Sequence, residues 1–332
     1  MKFGCTYFGN RIIRHAAADM KMLRQLGFNY VVHTFSEFDL QFNRDTMRDI
    51  IAATREAGLE VHIDPWGVGN VFGGEPYSNF ACLHLLDGCQ VLDNGNPAPL
   101  ACPNNPLFRD FMKEWFDAAA YCKADVLFID EPHFHSAAFL GGRPGRWGCL
   151  CPYCQDLFKE KYGHPMPGEE TVEVQNFKEE SLISFTAMLL EWADEAGMRN
   201  SLYLPPKDSP EKDVTHWRRH LDALSVDCLG TGPYWAWRNE PVSMVGDYSR
   251  ALNGLCEERG IESQVWIQVC RIAEGKEGEI AEAISLAAEA GVHNLAFWGF
   301  EGCSQESWIA CQEPEKCWSA TLAAMKRLYE RK

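Results

Sequence analysis

Asp45-Thr46-Met47-Arg48-Asp49-Ile50-Ile51-Ala52-Ala53-Thr54-Arg55-Glu56-Ala57-Gly58-Leu59-Glu60-Val61-His62-Ile63-Asp64 holds one full repeat of the fold. Met47, Ile50, Ile51 and Ala57 recur at helical spacing and give Asp45–Ala57 an apolar face. Gly58 stops that helix, because the position after a helix often takes a left-handed conformation that glycine adopts without a steric cost. Glu60–Asp64, with Val61 and Ile63, then reads as a short strand. The same helix-to-strand turn recurs at Ala196-Gly197-Met198 and Ala290-Gly291-Val292.

Outward from this unit the alternation covers the whole chain. Further strands are predicted at Phe3–Phe8, Tyr30–Thr34, Asp125–Asp130, Asn200–Leu204, Ala223–Gly230, Gln264–Cys270 and Asn294–Phe300. Further helices are predicted at Asp19–Leu26, Pro106–Tyr121, Phe177–Ala196, Lys212–Leu221, Val245–Arg259, Glu277–Ala290 and Lys316–Arg331. Eight strands alternating with helices, none left over, predict a closed (β/α)8 TIM barrel over residues 1–332 as one domain. A doubly wound sheet would want a glycine-rich phosphate turn after its first strand, and Gly9-Asn10-Arg11 is not one. Two connections are long, 67–104 and 132–169, and both follow strands, which places them on the face where barrel enzymes carry their chemistry.

Composition narrows the partners. With 31 basic and 47 acidic residues the net charge is −16. So acidic a chain is a poor partner for nucleic acid or an anionic membrane, both of which need clustered Lys and Arg. No apolar run reaches the roughly 18 residues that span a bilayer. The 14 cysteines in 332 residues are too sparse for a disulfide scaffold. The start, Met1-Lys2-Phe3-Gly4-Cys5, runs directly into a strand without a signal-like series. A cytoplasmic protein with reduced thiols is expected, acting on a neutral or cationic small molecule.

Strand C-terminal ends supply the candidate site. Strand two offers His33, strand three Asp64 and Trp66, and strand four Asp130, Glu131 and His133. Strand six leads to Tyr234 and Trp235, strand seven ends at Gln268, and strand eight supplies Trp298 and Glu301. Carboxylates for acid and nucleophile or base work, together with flat rings that stack on sugars, are what glycosidic hydrolysis uses. In Phe128-Ile129-Asp130-Glu131-Pro132, two adjacent acids close an apolar strand. Burying both is costly unless they work or are paired.

That segment resembles the Asn-Glu-Pro signature of retaining (β/α)8 glycoside hydrolases, with Asp130 in place of the Asn. Cys102-Pro103-Asn104-Asn105-Pro106, Cys149-Leu150-Cys151-Pro152-Tyr153-Cys154 and Tyr162-Gly163 likewise resemble barrel proteins grouped with those hydrolases, over roughly residues 100–165. The resemblance implies that Glu131 is the acid/base. It also implies a nucleophilic Glu at the end of strand seven, where this chain has Gln268, which cannot form a glycosyl ester. Glu301 and Asp64 are the replacements available, and Asp130 would orient substrate or share the carboxyl work. His33, Trp66, His133, Tyr234, Trp235, Gln268 and Trp298 are the candidate sugar-binding residues.

Cys149, Cys151 and Cys154 have C-x-C-x-x-C spacing within one loop, which suggests a structural zinc with a fourth ligand such as Cys102, His133 or His135. Catalysis itself would need no cofactor. The expected function is hydrolysis of a small or terminal glycoside, with the two long loops meeting over one side of the mouth to form a pocket. The loops could instead build an interface between copies of the chain. A metal-dependent sugar isomerase, epimerase or lyase on the same barrel is the alternative enzyme, with Glu131, Asp64, Glu301 and His33 as its ligand ring. A sugar-binding barrel without catalysis is the third reading, kept open by Gln268.

Overall fold

The structure is a computed structural model that describes residues 1–135 and 145–330. Eight parallel strands close into a barrel: β1 (Lys2–Tyr7), β2 (Tyr30–Thr34), β3 (Glu60–Asp64), β6 (Val126–Asp130), β7 (Arg199–Tyr203), β8 (Cys228–Thr231), β9 (Glu262–Gln268) and β10 (Asn294–Trp298). The predicted TIM barrel is therefore present, and β10 returns to pair with β1. Helices α1 (Ile13–Gln25), α2 (Arg44–Glu56), α4 (Pro106–Cys122), α6 (Val172–Glu195), α7 (Pro210–Ala223), α9 (Met244–Arg259), α10 (Gly278–Glu289) and α11 (Pro314–Glu330) cover it. Helix α1 starts six residues before the predicted Asp19, because Ile12 and Ile13 in its first turn are exposed and leave no apolar stripe to read. Ala223 belongs to α7, so strand β8 starts later than predicted.

The long loops carry structure of their own. The first holds α3 (Asn79–Leu83) and the antiparallel hairpin β4 (Cys89–Val91) and β5 (Pro97–Ala101), whose turn uses Gly95 at φ +79°. The second carries α5 (Pro152–Tyr162), while its residues 136–144 lie outside the described set. A short α8 (Trp235–Arg238) follows β8. The two loops do meet: Leu150 N–H donates to Val91 O (2.7 Å), Asp93 N–H to Trp147 O (3.0 Å) and His133 N–H to Val71 O (2.9 Å). His135 N–H is capped by Gln90 Oε1 at 2.9 Å.

Side-chain alternation sorts every barrel strand into two cores. Val31, Val61, Ile63, Leu127, Ile129, Leu202, Leu229, Val265, Ile267, Leu295 and Phe297 face the helices. Tyr30, Val32, Phe128, Tyr203, Trp266 and Ala296 fill the barrel interior. The lower interior is polar and paired. Gln264 Nε2 donates to Tyr30 Oη (2.8 Å), which donates to Asn294 Oδ1 (2.7 Å), and the Tyr30 ring stacks on His62. Gly4 makes room for that tyrosine, since a Cβ there would sit 2.0 Å from its ring.

Candidate active site

The same alternation decides what reaches the mouth. Asp64 lies two residues beyond inward-facing His62, and Asp130 two beyond inward-facing Phe128. Both therefore point into the barrel at its C-terminal end. Asp64 is fully buried, and neither carboxylate oxygen has a hydrogen-bond partner. Asp130 is 7% exposed. Glu131, next along, would face the helices in a continued strand, but its φ of +40° ends the alternation. Its carboxyl comes back over the mouth. A Cβ built on Gly73 would lie 2.4 Å from Asp130 Oδ2 and 2.8 Å from Glu131 Oε1, so two carboxylates close on one glycine. That glycine is tethered: its N–H donates to Asp130 O (3.3 Å) and its carbonyl accepts from Gly67 N–H (2.8 Å).

A fourth acid enters from the same turn. Glu75 follows Gly73-Gly74, its Oε2 enclosed and unpartnered, its surface otherwise part-open. The four carboxyls repel one another in a low-dielectric site. Burial, then Asp130, Glu131 and Glu75, push Asp64 well above the usual carboxylate range. Burial and Glu75 push Asp130 up to about 7. Burial, Asp130 and Glu75 push Glu131 well up. Glu75 is raised by burial and by Glu306, while its own backbone N–H and the nearby Trp66 indole act in the other direction. No aligned hydrogen bond joins that indole to Glu75, and Trp66 Nε1 is a buried donor without a partner.

Aromatic rings wall the mouth. Phe8 stacks on Trp66 (5.6 Å) and on Trp298 (6.0 Å), and Trp298 meets Trp266 (6.0 Å). Tyr203 and Tyr234 meet at Gly232, where a Cβ would lie 2.4 Å from Tyr203 Oη and 3.0 Å from Tyr234 Cε1; burial first, with Asp130 and Glu131 among the further causes, raises both phenols. His133 Nδ1 donates to Glu131 O (2.9 Å), and burial lowers its pKa to about 4.

Four residues singled out in the sequence are engaged by other neighbours. His33 has the outward parity. It is fully buried against α2, paired through Nε2 with Thr54 Oγ1 (2.9 Å), and burial lowers its pKa to about 3. Trp235 is 2% exposed and donates its indole N–H to Glu279 Oε2 (2.9 Å) under α10. Gln268 caps α8, accepting from Ala236 N–H (3.1 Å) and donating to Cys270 O (2.9 Å). Glu301 is raised by burial and then by Asp19, and among the described residues no hydrogen bond joins its carboxylate to the mouth acids. Glu75 is the acid that sequence reasoning passed over. The Gly73-Gly74 pair before it signals a close backbone approach, and that approach is to Asp130 and Glu131.

All fourteen cysteines are free thiols. Cys102, Cys149, Cys151 and Cys154 are buried with their sulfurs all within 4.8 Å of one another. Backbone N–H groups of Val91 and Cys151 donate to Cys149 Sγ (3.4 Å each), and Asn104 Nδ2 donates to Cys154 Sγ (3.4 Å). The cluster joins the residue after the β4–β5 hairpin to the start of α5. Glu179, His216 and His220 form the other such ligand group among the described residues, and none of the mouth acids belongs to either.

No protein-family model matches the chain, and no curated protein matches it. Solved structures do. The catalytic domain of β-amylase from Paenibacillus polymyxa superposes with a TM-score of 0.63 at 10% identity, covering 97% of this chain and 98% of that one. A GH5_18 protein from Streptomyces cattleya, in complex with GlcNAc, gives 0.61 at 14%, covering 100% and 81%. D-psicose 3-epimerase from Clostridium cellulolyticum H10, with D-tagatose, gives 0.51 at 10%, covering 99% of each. At these identities the likeness establishes the barrel fold and leaves the chemistry to the site. No helix among the described residues is long and apolar enough to cross a membrane.

Proposed function

We propose that the protein is a glycoside hydrolase acting on a small or terminal glycoside, with Glu131 as general acid. The observation that carries this reading is the convergence of Asp130 and Glu131 on Gly73, in a mouth walled by tryptophan and tyrosine. Glu131 keeps part of its surface open, and burial with a neighbouring carboxylate favours its protonated form, the state a general acid needs before it meets substrate. Asp130 shares the pair's proton and orients a sugar hydroxyl, while Trp66, Trp298 and Tyr234 offer faces to the ring. The stapled loops narrow one side of the mouth, which suits a terminal unit better than the middle of a polymer. Sugars as ligands of the GH5_18 protein and the epimerase are in keeping with a carbohydrate substrate.

The test is Glu131→Gln on paired substrates. A glycoside with a poor leaving group should lose turnover by about 10³-fold, and a dinitrophenyl glycoside, which needs no protonation, far less. Equal turnover of wild type and variant on both overturns the assignment. The metal-dependent epimerase reading is disfavoured because the mouth acids are not gathered as a ligand set. Hydrolysis that survives exhaustive chelation removes it.

We further propose a structural zinc at Cys102, Cys149, Cys151 and Cys154. Four buried thiols with N–H···S support fit a closed tetrathiolate, in which all positions are filled by protein and the ion stiffens the loops without touching substrate. Fourteen free thiols accord with a reducing cytoplasm.

A further inference from the structure

Hydrolysis by two carboxylates needs a partner for Glu131, and the usual places do not supply one. Gln268 is an amide occupied in capping α8. Asp64 is fully buried, and Asp130 is 7% exposed and closes on the same glycine as Glu131. Of the four acids in the mouth, Glu75 and Glu131 alone keep open surface. Glu75 is brought there by a turn with no slack: a Cβ on Gly73 would run into the carboxylates of Asp130 and Glu131, and one on Gly74 would sit 2.2 Å from Trp66 Cδ1 and 2.5 Å from its Nε1. That indole N–H belongs to a side chain more than nine-tenths buried, yet has no partner. A buried donor and a buried acid oxygen, both unpartnered and side by side, are groups that a polar ligand could satisfy.

Resting on the glycosidase reading, we propose that Glu75 is the second catalytic carboxylate, the nucleophile that faces Glu131. As nucleophile Glu75 would form a glycosyl ester, and the reaction would release its sugar with retained configuration. In the first step a Glu75 oxygen bonds to the anomeric carbon, the glycosidic C–O bond breaks, and the Glu131 proton passes to the leaving oxygen. In the second step water adds to the anomeric carbon, the ester bond to Glu75 breaks, and the water's proton returns to Glu131. Electrostatics divide the roles the same way. Every influence on Asp64, Asp130 and Glu131 favours the proton, whereas Glu75, though also raised by burial, has its own backbone N–H to favour its charge. Trp66 would then donate to the sugar oxygen nearest the nucleophile.

The experiment compares Glu75→Gln, Glu75→Ala and wild type on a dinitrophenyl glycoside, with unfolding curves to confirm folding. Wild type should release the sugar first as the anomer of the substrate, read by proton NMR. Glu75→Gln should lose about 10³-fold or more in kcat, even with this leaving group, because bond formation and not protonation is removed. Azide added to Glu75→Ala should restore turnover and yield a glycosyl azide of inverted configuration. First release of the inverted anomer, kcat of Glu75→Gln within about 10-fold of wild type, or no inverted azide product would each overturn the assignment to Glu75 and leave the glycosidase reading standing. A wild type inert on every aryl glycoside would overturn both.

Discussion

Gly73→Ala probes the heart of the site with one methyl group. Gly73 is not in the left-handed region, so alanine meets no backbone strain there. Its Cβ would lie 2.4 Å from Asp130 Oδ2 and 2.8 Å from Glu131 Oε1, where ordinary contact begins at 3.4 Å. Asp130 must therefore retreat by about 1.0 Å and Glu131 by about 0.6 Å, and a 1 Å misplacement of reacting groups costs on the order of 10²-fold in rate, or about 2.7 kcal/mol of transition-state stabilisation. Part-open Glu131 can swing away, but Asp130, only 7% exposed and the closer of the two, has little room to retreat, so the melting temperature should fall as well. The assay is kcat/KM on an aryl glycoside alongside the melting temperature. Gly95→Ala is the control for stability alone. Gly95 sits at φ +79° with nothing near its Cβ position, so alanine there should cost about 1 kcal/mol of stability and no activity. Gly73→Ala with wild-type kcat/KM would refute the claim that the carboxylates converge on this glycine for catalysis.

Burial and Glu75 raise Asp130 from 3.8 to about 7, so between those values the native chain binds more protons than the unfolded one and stability falls as pH rises. Asp130→Asn should flatten that fall, seen as a smaller difference between melting temperatures at pH 5 and pH 7.5; an unchanged difference would count against the burial argument. Purified protein should carry about one zinc per chain by elemental analysis, and Cys102→Ser should lose it and melt several degrees lower. Metal-free protein that melts at the same temperature would remove the zinc. Glu301→Gln should keep turnover within a few-fold, since no hydrogen bond ties its carboxyl to the mouth acids among the described residues and Asp19 is the charge that acts on it. Trp298→Ala should raise KM more than it lowers kcat if the ring stacks on the sugar, and equal values for variant and wild type would assign it to packing.

The barrel was legible because its signal is periodic and repeated. Apolar faces at helical spacing, a glycine after three helices and eight short apolar strands all agree, and β2 and β3 fall at the predicted residues. Register was legible too, though only with the interior pinned. Once Tyr30 and Val32 are known to face inward, His33 must face outward to Thr54, and its proposed contact with substrate disappears. Trp235 and Gln268 misled for a different reason. Trp235 sits beyond the last paired residue of its strand, where a side chain answers to the nearest helix end, while Gln268, the last paired residue of β9, keeps the inward parity but is taken up in capping α8.

What the sequence hid is what loops and non-repeating dihedrals hide. Nothing in Asp130-Glu131-Pro132 announces a positive φ at Glu131, yet without it the two acids would sit on opposite faces of the wall. Glu75 is eleven residues beyond Asp64 in a loop with its own hairpin, and no spacing rule links it to a residue 56 positions later. The clue lay in the two glycines before it, whose lack of side chains reads as flexibility in a sequence and as crowding in the structure. The barrel places Asp64 and Asp130 by strand geometry alone, while Glu75 and Glu131, the acids with open surface, are placed by local backbone departures from it. The candidate chemistry therefore rests on a few residues at and after the strand ends, and the barrel frame alone is what the chain shares with neighbours about 10% identical to it.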